Sequence, residues 1–326
     1  MNWQAHPAHW HSHTFRAMGC EMAVWIELKN ADTAAALLQE AEALFRSAER
    51  RLSRFDAASE LSQLNAQPGV WTAVSETTWQ VITQALFLAR ETGGLFDPTH
   101  LTALEAAGYT RSFEQLAEVS GVNGTATAVA TFNQWQTVQL SAESRAIWLP
   151  PGVKLDLGGI AKGYTAQQVV NFLSEWGPCL VDASGDLTAG AAPADWPGWP
   201  VAVLTPYTGA DEPREELFPL WLVEGTMATS GIDYRRWQRN GRAAHHLIDP
   251  RTSLPAETDL LTATVLAKTA VRAEAWATAA LVAGTEVARQ RLTAINLAAA
   301  LIDQNGGLFA TPALEPFLTL ETTQPI

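Results

Sequence analysis

Residues 20–52, CEMAVWIELKNADTAAALLQEAEALFRSAERRL, decide the fold class, because the hydrophobic period changes once within them. Met22, Val24, Ile26 and Leu28 alternate with Ala23, Trp25 and Glu27, the period of two that marks a strand with one buried face. From Asp32 onward, Ala34, Leu37, Leu38, Ala41, Leu44, Phe45, Ala48 and Leu52 follow helical spacing with the charges on the far side. Asp32 stands in the N-cap place.

Outward from there, Ser75 is expected to cap a second helix that buries Ile82, Ala85, Leu86 and Ala89 and stops at Gly93-Gly94. A third starts near Ala161, carries Val169, Val170, Leu173 and Trp176, and ends before Gly177; strand CLVD (179–182) follows. Residues 262–267 (TATVLA) read as a buried strand and residues 270–283 as an alanine-rich helix ending near Gly284. Asn305-Gly306 between apolar runs predicts a two-residue hairpin. The Gly/Pro-rich stretches 190–200 and 205–213 read as surface excursions. Helices and hairpins mix without regular strand-helix alternation, so the class is α+β, or mixed α/β. Residues 1–14 are expected to form an N-terminal tail, and 15–326 one domain or two closely packed subdomains.

The chain of 326 residues has 21 Lys+Arg against 34 Asp+Glu, a formal net charge of −13 that argues against a nucleic-acid partner. With 47 % hydrophobic residues it can bury a large core. The two cysteines, Cys20 and Cys179, are isolated in apolar settings and read as buried free thiols. The first residues carry neither a basic region nor an apolar one, and no apolar run approaches the ~18 residues of a membrane helix. The expected location is the cytoplasm. His9, His11 and His13 alternate, as chance histidines of a mobile terminus or as metal ligands on one face.

Three stretches carry possible chemistry. KLDLGGIAKGYTAQQVV (154–170) leads through Gly158-Gly159 into a helix, where free N–H groups and the dipole favour an anion such as phosphate. Lys162 lies in the first helical turn, a place that dipole logic denies to a cation unless an anion is expected. TMATSGIDYRRW (226–237) suggests a tight polar turn at Thr229, Ser230 and Gly231. HHLIDPRTSLP (245–255) offers His245 and His246, read equally as a general base or as a turn cap. In AVRAEAWATAALVAG (270–284), Glu274 and Thr278 share a helix face, as hard-cation ligands or as a local hydrogen bond.

Taken in order, FRAMGCEMAVWIE (15–27), LSRFDAASELSQLN (52–65), TGGLFDPTH (92–100), LDLGGIAKGYTAQQVV (155–170), LVDASGDLTAG (180–190), MATSGIDYRRW (227–237), HHLIDPRT (245–252) and AEAWATAALVAG (273–284) resemble the ApbE family of FAD:protein FMN transferases. The resemblance implies a T-fold-like core of antiparallel sheets packed by helices. It also implies an enzyme that moves FMN from FAD to a Thr or Ser hydroxyl of a target flavoprotein and releases AMP. FAD would be the substrate and Mg²⁺ the cofactor. By position, Met18, Phe55, Leu95, Phe96 and Asp97 would contact FAD, and Asp156 and Lys162 would hold the nucleotide, Lys162 near the pyrophosphate. The Gly159 carbonyl, Glu274, Thr278 and the Ala277 backbone would surround Mg²⁺. His246 would be the base, with Thr229, Ser230 and Gly231 lining the cleft. An FAD pyrophosphatase and a non-catalytic FAD-binding or flavin-delivery protein are the alternatives.

Four positions depart from the family pattern. Glu274 stands for the usual Asp, Cys20 for Thr, and Ser184 and Ser253 for Gly. The extra methylene of Glu274 moves a carboxylate relative to the octahedron that Mg²⁺ demands.

Overall fold

The computed structural model describes residues 9–111, 132–207, 214–233, 236–239 and 242–318. Strands β1 (Trp10–Ala17) and β2 (Cys20–Glu27) form a hairpin, followed by helices α1 (Ala31–Leu52) and α2 (Glu60–Asn65), strand β3 (Trp71–Ala73) and helix α3 (Glu76–Glu91). Helix α4 (Leu101–Ala106), strands β4 (Gln139–Ser141) and β5 (Ala146–Trp148) and helix α5 (Ala161–Leu173) come next. Then follow β6 (Cys179–Asp182), β7 (Leu187–Ala189), β8 (Trp199–Leu204), β9 (Glu216–Leu222) and β10 (Gly225–Gly231). Four short strands, β11 (Arg236–Arg239), β12 (Arg242–His245), β13 (Ile248–Asp249) and β14 (Leu254–Pro255), precede β15 (Leu260–Ala267). Helices α6 (Ala270–Ala283) and α7 (Thr285–Ala294) and strands β16 (Ala298–Asp303) and β17 (Leu308–Ala310) close the order.

The principal sheet has eight strands in the order β1-β2-β6-β7-β10-β15-β16-β17, and each neighbouring pair is antiparallel. The period-two reading of β2 holds: Met22, Val24 and Ile26 are fully buried, against the α1 residues Ala34, Leu38, Ala41 and Phe45. The hairpin β8–β9 brings Trp199, Val201, Val203, Leu220 and Leu222 into another cluster with Leu180, Met227 and Leu266 of the sheet. Helix α6 is apolar on nearly every side, since Ala273, Ala275, Ala277, Ala279 and Ala280 are all buried. Such a helix belongs inside the core. Its small side chains let it approach both the sheet and α5.

The structure corrects several expectations. The N-cap of α1 is Asn30, whose Oδ1 accepts from Thr33 N at 2.9 Å, and Asp32 lies in the first turn. The expected tail of residues 1–14 runs into β1, whose Trp10–Ala17 pair with β2. There His11 Nε2 is 2.9 Å from Leu28 O and His13 Nε2 is 2.7 Å from Glu42 Oε2, so both histidines are engaged within the fold. The excursion 190–200 ends inside β8, where Trp199 is fully buried, and Trp176 lies exposed beyond the end of α5. The hairpin at Asn305-Gly306 is wider than two residues, because Ile302 pairs with Leu308 and Asp303 Oδ1 accepts from Asn305 N and Gly307 N. Helix α2 lacked a clear apolar period because it spans six residues. Both cysteines are buried free thiols, as expected.

Two departures from the family pattern acquire a physical meaning. Ser184 has φ +66° and Ser253 φ +57°, the left-handed region that favours glycine. Ser184 is exposed in the turn between β6 and β7. Ser184→Gly is therefore expected to raise stability by roughly 0.5–1 kcal/mol, or about 1–3 °C in Tm at this chain length, as read by thermal unfolding. A lower Tm would show that the unfolded-state entropy of glycine outweighs the relieved backbone strain.

Candidate active site

The chain enters the site region through residues 155–160. Asp156 N is held by Pro98 O at 2.8 Å, and Asp156 Oδ1 accepts from Gly158 N at 3.0 Å. This shapes the turn at Gly158-Gly159 that opens α5. A Cβ on Gly159 would lie 3.3 Å from the Phe96 ring, so the turn packs closely on the Leu95-Phe96-Asp97 segment. Leu95, Phe96 and Asp97 are buried. Asp97 Oδ1 is held by Thr99 N at 2.8 Å and by the Thr99 hydroxyl.

Lys162 and Glu274 meet across α5 and α6, with Nζ 3.9 Å from Oε1. Lys162 Nζ also lies 3.5 Å from Gly158 O. Glu274 is only 4 % exposed, and its Oε1 accepts from Gly163 N at 3.1 Å. The longer side chain thus reaches the backbone of the neighbouring helix. Room for it exists because residue 163 has no side chain: a Cβ there would fall 2.3 Å from Glu274 Oε2. Glu274 Oε2 is itself buried and has no hydrogen-bond partner among the described residues. Its carboxyl is pushed up to about 8, first by burial, with the nearby Asp186 charge adding and Lys162 and the Gly163 N–H opposing.

Thr229, Ser230 and Gly231 were expected to form a turn. They are the end of strand β10, paired with Thr264, Ala263 and Thr262 of β15. The strand places alternate hydroxyls on its two faces: Ser230 Oγ is 3.1 Å from Thr278 Oγ1 on α6, and Thr229 Oγ1 is 2.9 Å from Thr264 Oγ1. Thr229 N donates to Asp186 Oδ1 at 2.9 Å. Asp186 lies in the LVDASGDLTAG stretch, and the family resemblance implies no role for it. Its signal is a carboxylate right after a glycine turn, and its bond from Thr229 N together with its charge near Glu274 makes it part of this group. Beside it, burial pushes the Asp182 carboxyl up, and Asp186 adds to that.

The remaining candidates surround this group. Met18 occupies the left-handed region at φ +52° in the β1–β2 turn, followed by Gly19 at φ +70°, and packs against two core clusters. A bulky residue held there is the kind of backbone strain that collects at ligand contacts. Phe55 remains 47 % exposed. Burial pushes the His100 imidazole down, with Asp97, Asp156 and Arg54 as its charged neighbours. His246 is half-buried after β12, two residues before Ile248, which packs with Ala103, Leu104 and Ala107 beside Tyr109 and Trp237. That stretch is anchored by Asp249, gripped by Arg251 Nη2 at 2.8 Å, while the same nitrogen donates to Val282 O of α6 at 3.2 Å. Ala277 is fully buried on α6, one residue ahead of Thr278.

The structure therefore brings Lys162, Gly163, Glu274, Asp186, Thr229, Ser230 and Thr278 together at the junction of α5, α6 and β10. Among the described residues no group of three or more His, Cys, Asp or Glu could hold a metal ion. The side-chain oxygens that gather here come instead from two carboxylates, Glu274 and Asp186, and the hydroxyls of Thr229, Ser230 and Thr278. No helix among the described residues is long and apolar enough to cross a membrane.

Comparison with known proteins completes the description. A family model described as "ApbE family" matches residues 18–302. A Treponema pallidum protein named FAD:protein FMN transferase is 30 % identical over 285 residues, covering 82 % of this chain and 76 % of the relative. A Haemophilus influenzae protein of the same name is 28 % identical over 299 residues, 88 % of this chain and 84 % of the relative. The crystal structure of the ApbE protein from Thermotoga maritima superposes with a TM-score of 0.81 at 23 % identity, covering 95 % of this chain and all of that one. The shared fold is mixed, with antiparallel sheets and helices.

Proposed function

This chain belongs to the ApbE family, and from that premise we propose that it is an FAD:protein FMN transferase, moving FMN from FAD to a Thr or Ser hydroxyl of a target flavoprotein and releasing AMP. The observation that carries the reading is the buried Glu274 carboxyl. One of its oxygens has no partner among the described residues, and it faces Lys162 and Gly163 in the first turn of α5 within the field of Asp186. A buried acid left in that state fits a partner that this chain does not itself supply.

In the proposed reaction the acceptor hydroxyl attacks the phosphorus on the FMN side of the FAD pyrophosphate, and the bond to the AMP oxygen breaks. Such transfers depend on positioning and on stabilising charge at the phosphate oxygens. The positive dipole end of α5 and the Lys162 ammonium supply that stabilisation. His246 takes the proton of the acceptor hydroxyl. Met18, Phe55, Leu95, Phe96 and Asp97 contact the FAD, and Thr229, Ser230 and Gly231 line the cleft.

The donor set fits Mg²⁺, a hard cation that takes oxygen ligands. Glu274, Thr278, the Gly159 carbonyl and the Ala277 backbone would hold it, and Asp186 adds negative charge nearby. When bound, Mg²⁺ would neutralise charge on the pyrophosphate oxygens. The extra length of Glu274 is accommodated by Gly163, so the departure from Asp is compatible with a working site.

Incubation with FAD, Mg²⁺ and a target flavoprotein should give a covalently attached, fluorescent flavin band on the target. Release of free FMN and AMP with no labelled protein would replace the transferase reading by a pyrophosphatase. Tight FAD binding without turnover at any Mg²⁺ concentration would leave a flavin-binding protein.

A further inference from the structure

Arg54 carries no role in the reading above, yet its surroundings are those of a functional residue. Its side chain is only 7 % exposed, which is rare for a guanidinium, and Nε lies 2.8 Å from Asp156 Oδ2. Its ζ carbon stands 4.2 Å from the Phe55 ring centroid and 4.6 Å from that of Tyr109. Those two rings meet edge to face at 6.1 Å, and Tyr109 in turn stacks on Trp237 at 5.5 Å. Arg54 Nη2 is buried with no hydrogen-bond acceptor among the described residues. Leaving a charged donor unpaired is costly, and the ring faces are what offsets it here.

Asp156 then acts in two directions. Oδ2 holds Arg54, and Oδ1 accepts from Gly158 N at 3.0 Å in the glycine turn. Both oxygens are engaged inside the protein. One carboxylate therefore ties the aromatic side chains to the turn that opens α5.

We propose that Arg54 is a positioning residue: it holds Phe55 and Tyr109 as a rigid wall on which a planar ring of the bound dinucleotide stacks, and through Asp156 it fixes that wall relative to the glycine turn. Phe55 keeps nearly half of its surface open while the guanidinium lies over its ring. Arginine suits the place because its planar fork pairs with a carboxylate and stacks on rings at once, which lysine does not do. Asp156 accordingly serves through the turn and the wall, and the inference rests on FAD being the ligand.

The test uses the full chain with Arg54→Met and Arg54→Lys, and measures Kd for FAD, FMN and ADP by flavin fluorescence and calorimetry. Arg54→Met is expected to weaken FAD about tenfold, the scale of a desolvated cation–ring contact. It should also weaken one of the two half-ligands, with Arg54→Lys recovering part of the loss. A loss confined to FMN assigns the flavin ring to the wall, and a loss confined to ADP assigns the adenine. Unchanged FAD affinity, or equal losses for FMN and ADP, overturns the proposal. Should Arg54→Met fail to fold by far-UV circular dichroism, Arg54→Lys is judged by the same ratios. Near-UV circular dichroism of the ligand-free protein tests the wall separately: the Tyr109–Trp237 signal should weaken in Arg54→Met, and an unaltered spectrum counts against the proposal. An unmodified chain that binds no FAD refutes the proposed function, while the near-UV result still judges the wall.

Discussion

Glu274→Gln, measured with EDTA present, is expected to melt well above the parent at pH 9 and level with it at pH 5. In the folded chain the Glu274 carboxyl is raised to about 8 from an ordinary 4.5, chiefly by burial. Between those values the folded state holds a proton that the unfolded state has released. The stabilisation from the neutral acid is thus complete below about pH 4.5 and is lost as pH rises through about 8. Glutamine stays neutral throughout and keeps an oxygen for Gly163 N, so it removes that pH dependence. A gap of this size sets an upper bound of about 5 kcal/mol at about 1.36 kcal/mol per unit, and relaxation and water penetration around the ionised carboxylate reduce it to roughly 2–4 kcal/mol. In Tm that is on the order of 5–10 °C for a chain of this length. The same substitution should abolish stabilisation by added Mg²⁺ and depress FMN transfer at least tenfold. If the variant melts no higher than the parent at pH 9, the carboxyl is not held in the neutral form described above.

The second large effect is expected at His246. Replacing it by alanine should lower FMN transfer by about 10² to 10⁴, the range that a general base contributes, while FAD affinity stays within twofold of the parent. Lys162→Ala should weaken FAD binding as well as transfer, since it removes positive charge from the dinucleotide site and leaves Glu274 facing Asp186 with less compensation. The pair is measured by separating Kd for FAD from the single-turnover rate of flavin attachment. Equal loss of FAD binding in both variants would overturn the role given to His246. The Arg251 grip on Asp249 and on Val282 O explains why the backbone ahead of α6 should keep its place in His246→Ala.

Much of the scaffold was legible because periodicity is a local record of burial. The alternation in residues 22–28 and the helical spacing after Asn30 read correctly, since each needs only one apolar partner surface, whatever it is. The alanine-rich helix was legible to the residue, Ala270–Ala283. Thr229-Ser230-Gly231 was misread for a related reason. Small polar residues favour turns locally, but here they pair with β15, where the ladder, the Thr229–Thr264 hydroxyl pair and the bond from Thr229 N to Asp186 hold them extended. Ser184 and Ser253 stand in the sequence only as departures from the family's glycines, and the structure places both where the backbone favours glycine.

The site divides along the same line. The amino-acid sequence by itself determined the family, the glycine turn with its lysine, and the carboxylate four residues from a hydroxyl, because each of these is a short contiguous pattern. It also placed both histidines of the HHLIDP stretch without deciding what either faces. Only the tertiary structure showed that Glu274 reaches Gly163 N across 111 residues of chain, that Asp186 shares its field, and that Arg54 is clasped by Asp156 beneath two aromatic rings. The physical reason is that a charge takes its properties from whatever surrounds it, and those neighbours come from distant segments. Periodicity records that a side chain is buried, and the fold alone records which groups it is buried with.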